Sequence, residues 1–253
     1  MSEGLLSLYP VFVKNIGLPL SLQLWSRCFS YAILSGFFID YAFVFKTMFT
    51  YSGILLALVT IVHIYTSYRG FQLLDSGVAY SIFYLYPIMI LLMAGRKVTI
   101  SILMSFMGVF LLADTFSIQS YEGVFMIVLA AFTEAIIYFL VKDIKTNNNW
   151  NHIFISYFLG ALVLSGHMFR DIAHIQLNSH LSISLLINAF IGLIGYVLRF
   201  YAVSRLDTTI YSSLSYFGIV MAFIYGSLNG ESITLKKISG ACFIIVSNLW
   251  LLL

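Results

Sequence analysis

HIYTSYRGFQLLDSGVAYSIFYLYPIMILLMA, residues 63–94, predicts two hydrophobic helices joined at Leu74-Asp75. A diverged copy, GYVLRFYAVSRLDTTIYSSLSYFGIVMAFIYGSL, occupies residues 195–228. Flanking matches fall in the same order in both halves, which favours an internal duplication over chance similarity between apolar segments. Aligned without a gap, the two stretches pair Leu74-Asp75 with Leu206-Asp207, Ser81 with Ser213, Tyr84 with Tyr216 and Met89 with Met221.

Composition places the chain in a membrane. Of its 253 residues, 61% are hydrophobic and 9% are charged, against about a quarter charged in a soluble domain. A helix crosses the hydrocarbon with about 20 residues, so this length accommodates about ten spans and no soluble domain. The formal charge of +3 is dispersed, which predicts no nucleic-acid partner.

The apolar runs predict an all-α, polytopic protein with about ten transmembrane helices. Two five-helix repeats, residues 1–114 and 121–253, would have inverted topology because each holds an odd number of spans. Pro87 should bend the fourth span. The predicted spans are 5–16, 20–38, 52–74, 76–94, 99–113, 122–141, 152–168, 182–205, 208–228 and 236–253.

Two charges lie deep in predicted spans. A charge at the centre of a spanning helix costs about 3 kcal/mol on insertion scales. Glu134, with Tyr138 one turn later, is therefore either a solute or proton site or a structural acid bonded to another helix. Arg199, with Tyr196 one turn before it, is a counter-charge for Glu134 or binds an anionic solute.

Other polar residues are weaker candidates. For Arg27, snorkelling or structural pairing near a helix end is the favoured interpretation. Lys14 either contacts solute or seeks the interface, and His63 either bonds a neighbouring helix or carries protons. Hydroxyl pairs one turn apart, which suit either a polar cavity or core packing, are Tyr80 with Tyr84 and Ser212 with Tyr216.

Motifs for metal or enzyme chemistry are not found. His167, His174 and His180 have no tight ligand spacing, so we expect no metal, and no cofactor is predicted. The sequence has no HExxH, GxSxG, Walker or paired acidic motif, which argues against a protease, a lipid-modifying enzyme and an ATP-driven pump.

The pattern resembles the EamA-like branch of the drug/metabolite transporter superfamily. The resemblance is carried by SLYPVFVKN before the span of Arg27, by the Leu74-Asp75-Ser76 and Leu206-Asp207-Thr208 junctions, and by NGESIT at residues 229–234. Gly95-Arg96-Lys97 departs from the glutamate turn usual there. The resemblance implies ten helices and a central cavity lined by spans one, three, four, six, eight and nine. Those spans carry Lys14, His63, Tyr80, Tyr84, Glu134, Tyr138, Tyr196, Arg199 and Tyr216.

These observations predict a secondary transporter, not an enzyme, that moves a small polar or amphipathic metabolite by alternating access. We expect an exporter or a proton-coupled permease, a multi-pass protein of the plasma membrane that is a monomer or homodimer and contacts solute and lipid. The alternative is a non-transporting membrane subunit or assembly partner with structural buried charges. That alternative predicts that Glu134 and Arg199 pair tightly with no cavity beside them.

Overall fold

The structure, a computed structural model, describes residues 1–95, 118–172, 179–206, 208–215 and 217–250, with positions 100, 103–104, 107–108 and 111. Over these residues the chain is α-helical and no strand is present. The helices are α1 (Ser2–Leu6), α2 (Tyr9–Asn15), α3 (Leu20–Gly36), α4 (Tyr41–Met48), α5 (Tyr51–Leu73), α6 (Ser76–Phe83), α7 (Tyr86–Met93), α8 (Ile118–Asp143), α9 (Asn149–Ile172), α10 (Ser179–Arg205), α11 (Thr208–Ser215), α12 (Phe217–Leu228) and α13 (Leu235–Leu249).

Local chemistry fixes several helix boundaries. The side chains of Asp40 and Thr50 accept hydrogen bonds from the backbone N–H groups of Phe43 and Gly53, in the first turns of α4 and α5, at 3.1 and 3.2 Å. The separation of α6 from α7 falls at residues 84–85, just before Pro87. Proline has no N–H to donate to the preceding turn, so the predicted bend occurs there.

Four helices in the described part of the chain are long and apolar enough to cross a membrane. Most other predicted spans coincide with helices, including shorter ones such as α3 with 17 residues. α4 was not predicted, and most of the predicted fifth span lies outside the described residues. The inverted relation of the two halves stays a prediction. The four helices are Tyr51–Leu73, Ser76–Met93, Tyr121–Asp143 and Leu181–Arg205.

The bundle has two ends, which α5 and α8 connect in antiparallel directions. His63 of α5 lies beside Ala130 of α8, and Ser52 at the start of α5 bonds Asp143 at the end of α8. We call the end that holds Asp143 and Arg205 the Lys142 end. The opposite end holds the loop between α12 and α13, and we call it the Glu231 end.

Gly192 sets how closely α10 approaches α2 and α3. A Cβ atom at this position would overlap the hydroxyl groups of Tyr9 and Tyr31. At Gly166 of α9, by contrast, a Cβ would meet no described atom within 4 Å.

We therefore expect Gly192→Ala to lower the free energy of unfolding by about 3 kcal/mol relative to Gly166→Ala. Both changes bring a similar gain in helix propensity, so their difference isolates the overlap. The measurement is the thermal unfolding midpoint of each variant in detergent. Equal midpoints for the two variants would show that α10 can move away at no cost.

Candidate functional site

A fully buried guanidinium between two carboxylates forms the centre of the bundle. Arg199 Nη1 donates to Glu134 Oε1 at 2.9 Å, while its Nε and Nη2 donate to the two oxygens of Glu3 at 3.2 and 2.7 Å. Arg199, Glu134 and Glu3 are 1%, 3% and 7% exposed. The predicted pairing of Arg199 with Glu134 is thus present. Together with His63, these residues form what we call the Arg199 cluster.

His63 adds a titratable group to this cluster. Its Nδ1 lies 3.1 Å from both the Ala130 carbonyl oxygen, which can only accept, and the Thr133 hydroxyl, which can donate or accept. Its Nε2 lies 3.3 Å from both Glu134 Oε2 and Tyr196 Oη. A hydrogen on Nε2 is donated to Glu134 Oε2, whereas a bare Nε2 faces that carboxylate as a second acceptor and repels it, so the contact between His63 and Glu134 depends on where the ring carries its hydrogen.

The predicted tyrosines lie around the Arg199 cluster. Tyr84 donates its hydroxyl to Glu3, and Tyr80 donates to the Leu6 carbonyl. The Tyr196 ring lies 5.5 Å from the Arg199 guanidinium carbon. Tyr138 is one turn from Glu134 and packs against Tyr211, with ring centroids 5.4 Å apart. Tyr216 lies outside the described residues, as do the side chains of Ser212 and Ser213.

Arg27 is central and does not snorkel. It is 3% exposed, and its guanidinium carbon lies 4.7 to 5.5 Å from the ring centroids of five tyrosines. Each ring comes from a different helix, so the arrangement exists only in the folded bundle. We call these residues the tyrosine cage: Tyr9 of α2, Tyr31 of α3, Tyr68 of α5, Tyr157 of α9 and Tyr196 of α10.

Lys14 lies at the Glu231 end, in an ionic group that joins distant segments. Its Nζ is 2.8 Å from Glu231 Oε1 and 3.9 Å from Asp75 Oδ1. Glu231 also accepts from the backbone N–H and the hydroxyl of Ser76, at 2.6 and 2.8 Å. Lys237 Nζ completes the group, 2.6 Å from Asp75 Oδ2. We call these five residues the Glu231 cluster.

Cavities differ between the centre and the Lys142 end. A cavity of about 10 Å³ is lined by Arg27, by His63 and Arg199 of the Arg199 cluster, and by Ser67 among others. This is room for about one water molecule. A cavity of about 690 Å³ lies at the Lys142 end, between residues of both halves such as Asp40 and His152.

Comparison with known proteins decides the family. The profile of the EamA-like transporter family matches residues 121–253, just over half of the chain. The chain belongs to the EamA-like transporter family. A protein of known crystal structure has the same fold, with a TM-score of 0.68 at 13% identity, covering 98% of this chain and 93% of that one. No curated protein sequence matches.

As an EamA-like chain with apolar spanning helices, it is an integral membrane protein of a transporter family. The buried Arg199 cluster therefore lies in a protein whose relatives transport solutes. Among the described residues, no group of three histidine, cysteine or acidic side chains could hold a metal ion. His174 and the side chains of His167 and His180 lie outside the described residues, so the prediction that they bind no metal stays a prediction.

Sequence reasoning missed three participants. Glu3 lies in the first turn of a helix of five residues, which is too short to indicate membrane depth. Glu231 was noted only as part of a turn, and its ion pair with Lys14 spans 217 positions. Arg27 was placed near a helix end, because the tyrosines around it are spread over positions 9, 31, 68, 157 and 196 and no single segment shows that they meet.

Proposed function

We propose that this EamA-like protein is a secondary transporter that moves a small polar or amphipathic metabolite by alternating access. Its moving parts are the repeats of residues 1–114 and 121–253. The observation that carries the proposal is the Arg199 cluster, in which Glu3 and His63 of the first repeat meet Glu134 and Arg199 of the second. Charges this deep are expensive to bury and mark solute or proton pathways in transporters.

The cluster suits proton coupling. A hydrogen on His63 Nε2 is donated to Glu134 Oε2, 3.3 Å away, and holds the two side chains in contact. Release of that proton leaves two acceptors facing each other and favours their separation. A proton-coupled permease or proton-driven exporter uses such a change to bias one conformation over the other.

Alternating access also requires that one end of the bundle is closed while the other is open. The Glu231 end is held by charges from both repeats, Lys14 and Asp75 against Glu231 and Lys237. The Lys142 end has a cavity of about 690 Å³ between the repeats. This asymmetry supports a conformation with the Glu231 end closed. We propose a plasma-membrane monomer or homodimer.

Cysteine accessibility tests the proposal without knowledge of the solute. Ser67 lines the central cavity, so Ser67→Cys is made in a background with Cys28→Ala and Cys242→Ala. We expect a membrane-impermeant maleimide to label position 67 from either side of sealed vesicles, in mutually exclusive conformations. The matched control is Ser35→Cys, which is fully buried and does not line that cavity. Labelling from one side alone, or from neither, argues against alternation.

The second candidate function is a non-transporting membrane subunit. It is favoured by the tight ion pair of Glu134 with Arg199 and by the small volume of the central cavity, about 10 Å³. A closed transporter intermediate has the same features. The two functions differ in the accessibility of position 67, since only the transporter must open to both sides.

A further inference from the structure

We propose that the tyrosine cage binds the oxyanion of an organic solute, with Arg27 as its principal ligand. The inference rests on the proposed transporter function, whose solute class it narrows to carboxylates or phosphates. The two buried arginines, Arg199 and Arg27, differ in their ion-pair partners. Arg199 contacts two carboxylates, whereas Arg27 has no carboxylate within ion-pair distance among the described residues.

The hydrogen-bonding inventory of the cage shows donors in excess. Arg27 Nη2 donates to Tyr157 Oη at 3.0 Å, but the buried Nε has no hydrogen-bond partner among the described residues. Because Tyr157 Oη accepts this bond, its own proton remains available to an acceptor. The same holds for Tyr68, whose Oη accepts from Asn188 Nδ2 at 3.4 Å.

A buried charge and several buried donors without acceptors are costly. Cation–π contact with five rings compensates part of the buried charge of Arg27. The ring faces, however, offer no acceptor atom to the Nε–H group in the plane of the guanidinium. An oxyanion supplies both the countercharge and the acceptor lone pairs, and the planar fork of arginine matches carboxylate and phosphate geometry.

The rest of the cavity indicates what the oxyanion is attached to. Leu6, Phe71, Tyr80 and Phe83 line the same small cavity as Arg27. These walls suit an apolar or aromatic body. A larger solute requires the helices to separate, which is the movement that alternating access provides.

Binding to the detergent-purified protein tests the inference separately from transport. Benzoate, phenyl phosphate, benzylammonium and benzyl alcohol are titrated at constant ionic strength, and the thermal unfolding midpoint is followed. We expect one or both oxyanions to raise the midpoint, with their relative strength distinguishing a carboxylate from a phosphate site. Benzylammonium and benzyl alcohol should leave it unchanged. No shift with either oxyanion, or an equal shift with benzylammonium, overturns the inference.

Variants then locate the site. We expect Arg27→Gln to weaken oxyanion binding at least tenfold and Arg27→Lys to weaken it less. Tyr157→Phe keeps the ring but removes one hydrogen-bond donor, and we expect it to weaken oxyanion binding severalfold. This variant tests the site if Arg27→Gln does not fold. The control is Arg69→Gln, an exposed arginine paired with Glu122.

Unchanged oxyanion affinity in both Arg27→Lys and Tyr157→Phe would contradict the assignment. Two-sided labelling of Ser67→Cys in sealed vesicles would then show that only the solute class is wrong. Absence of both oxyanion binding and two-sided labelling would contradict the proposed function as well.

Discussion

Arg199→Met is expected to be among the most destabilising single changes in this protein. The substitution keeps most of the side-chain volume but leaves the carboxylates of Glu3 and Glu134 buried without a cation. Breaking a buried ion pair in this way costs about 3 to 5 kcal/mol. In a chain of this size that corresponds to a fall of roughly 10 °C in the unfolding midpoint. The measurement is thermal unfolding in detergent.

The control is Arg205→Met on the same helix, whose arginine is exposed and lies over the Tyr201 ring at 4.7 Å. We expect a change within about 0.5 kcal/mol there. A similar small effect at Arg199 would show that the carboxylates find other partners.

The triple variant Glu3→Gln, Glu134→Gln and Arg199→Met separates stability from function. It removes the charges together, so that no carboxylate is left buried without a cation and the unpaired-charge penalty of the single variant is absent. We therefore expect the unfolding midpoint to recover while transport of the identified solute is lost. Transport at the wild-type rate and pH dependence would show that the Arg199 cluster is structural.

Glu231→Gln is expected to open the Glu231 end of the transporter. The side chain of Glu231 is 12% exposed and contacts Lys14 and Ser76, so loss of its charge removes a partly buried, charge-assisted pair. Such interactions contribute about 1.5 to 3 kcal/mol, or about ten- to a hundredfold in a conformational equilibrium. Labelling of Ser67→Cys should become at least tenfold faster from the Glu231 side and slower from the Lys142 side.

The matched control is Glu122→Gln, which breaks the more exposed pair of Arg69 and Glu122 at the same end. Exposed pairs contribute about 0 to 1 kcal/mol, so we expect a change in labelling below about fivefold. If Glu231→Gln accelerates labelling equally from both sides, the residue stabilises the fold and is not a gate.

A residue's position along its own helix was sufficient to predict which charges are buried in the bundle, while their role toward a solute stays a prediction. Glu134 and Arg199 were selected because each lies near the middle of a long apolar run, and the fold gives each a countercharge. Lys14 was predicted either to contact solute or to seek the interface, and the structure places it with Glu231 at one end of the bundle. A lysine near a helix end does not reveal which distant acid will lie beside it.

The amino-acid sequence by itself determined most of the helices, their apolar character and the need to pair two deep charges, because hydropathy and helix length act within one segment. It also contained the residues that place the chain in the EamA-like family. Only the tertiary structure decided that Glu3 shares Arg199 with Glu134, and that five tyrosines from five helices surround Arg27. These neighbours are set by packing between helices, for which no single segment carries a periodic signal.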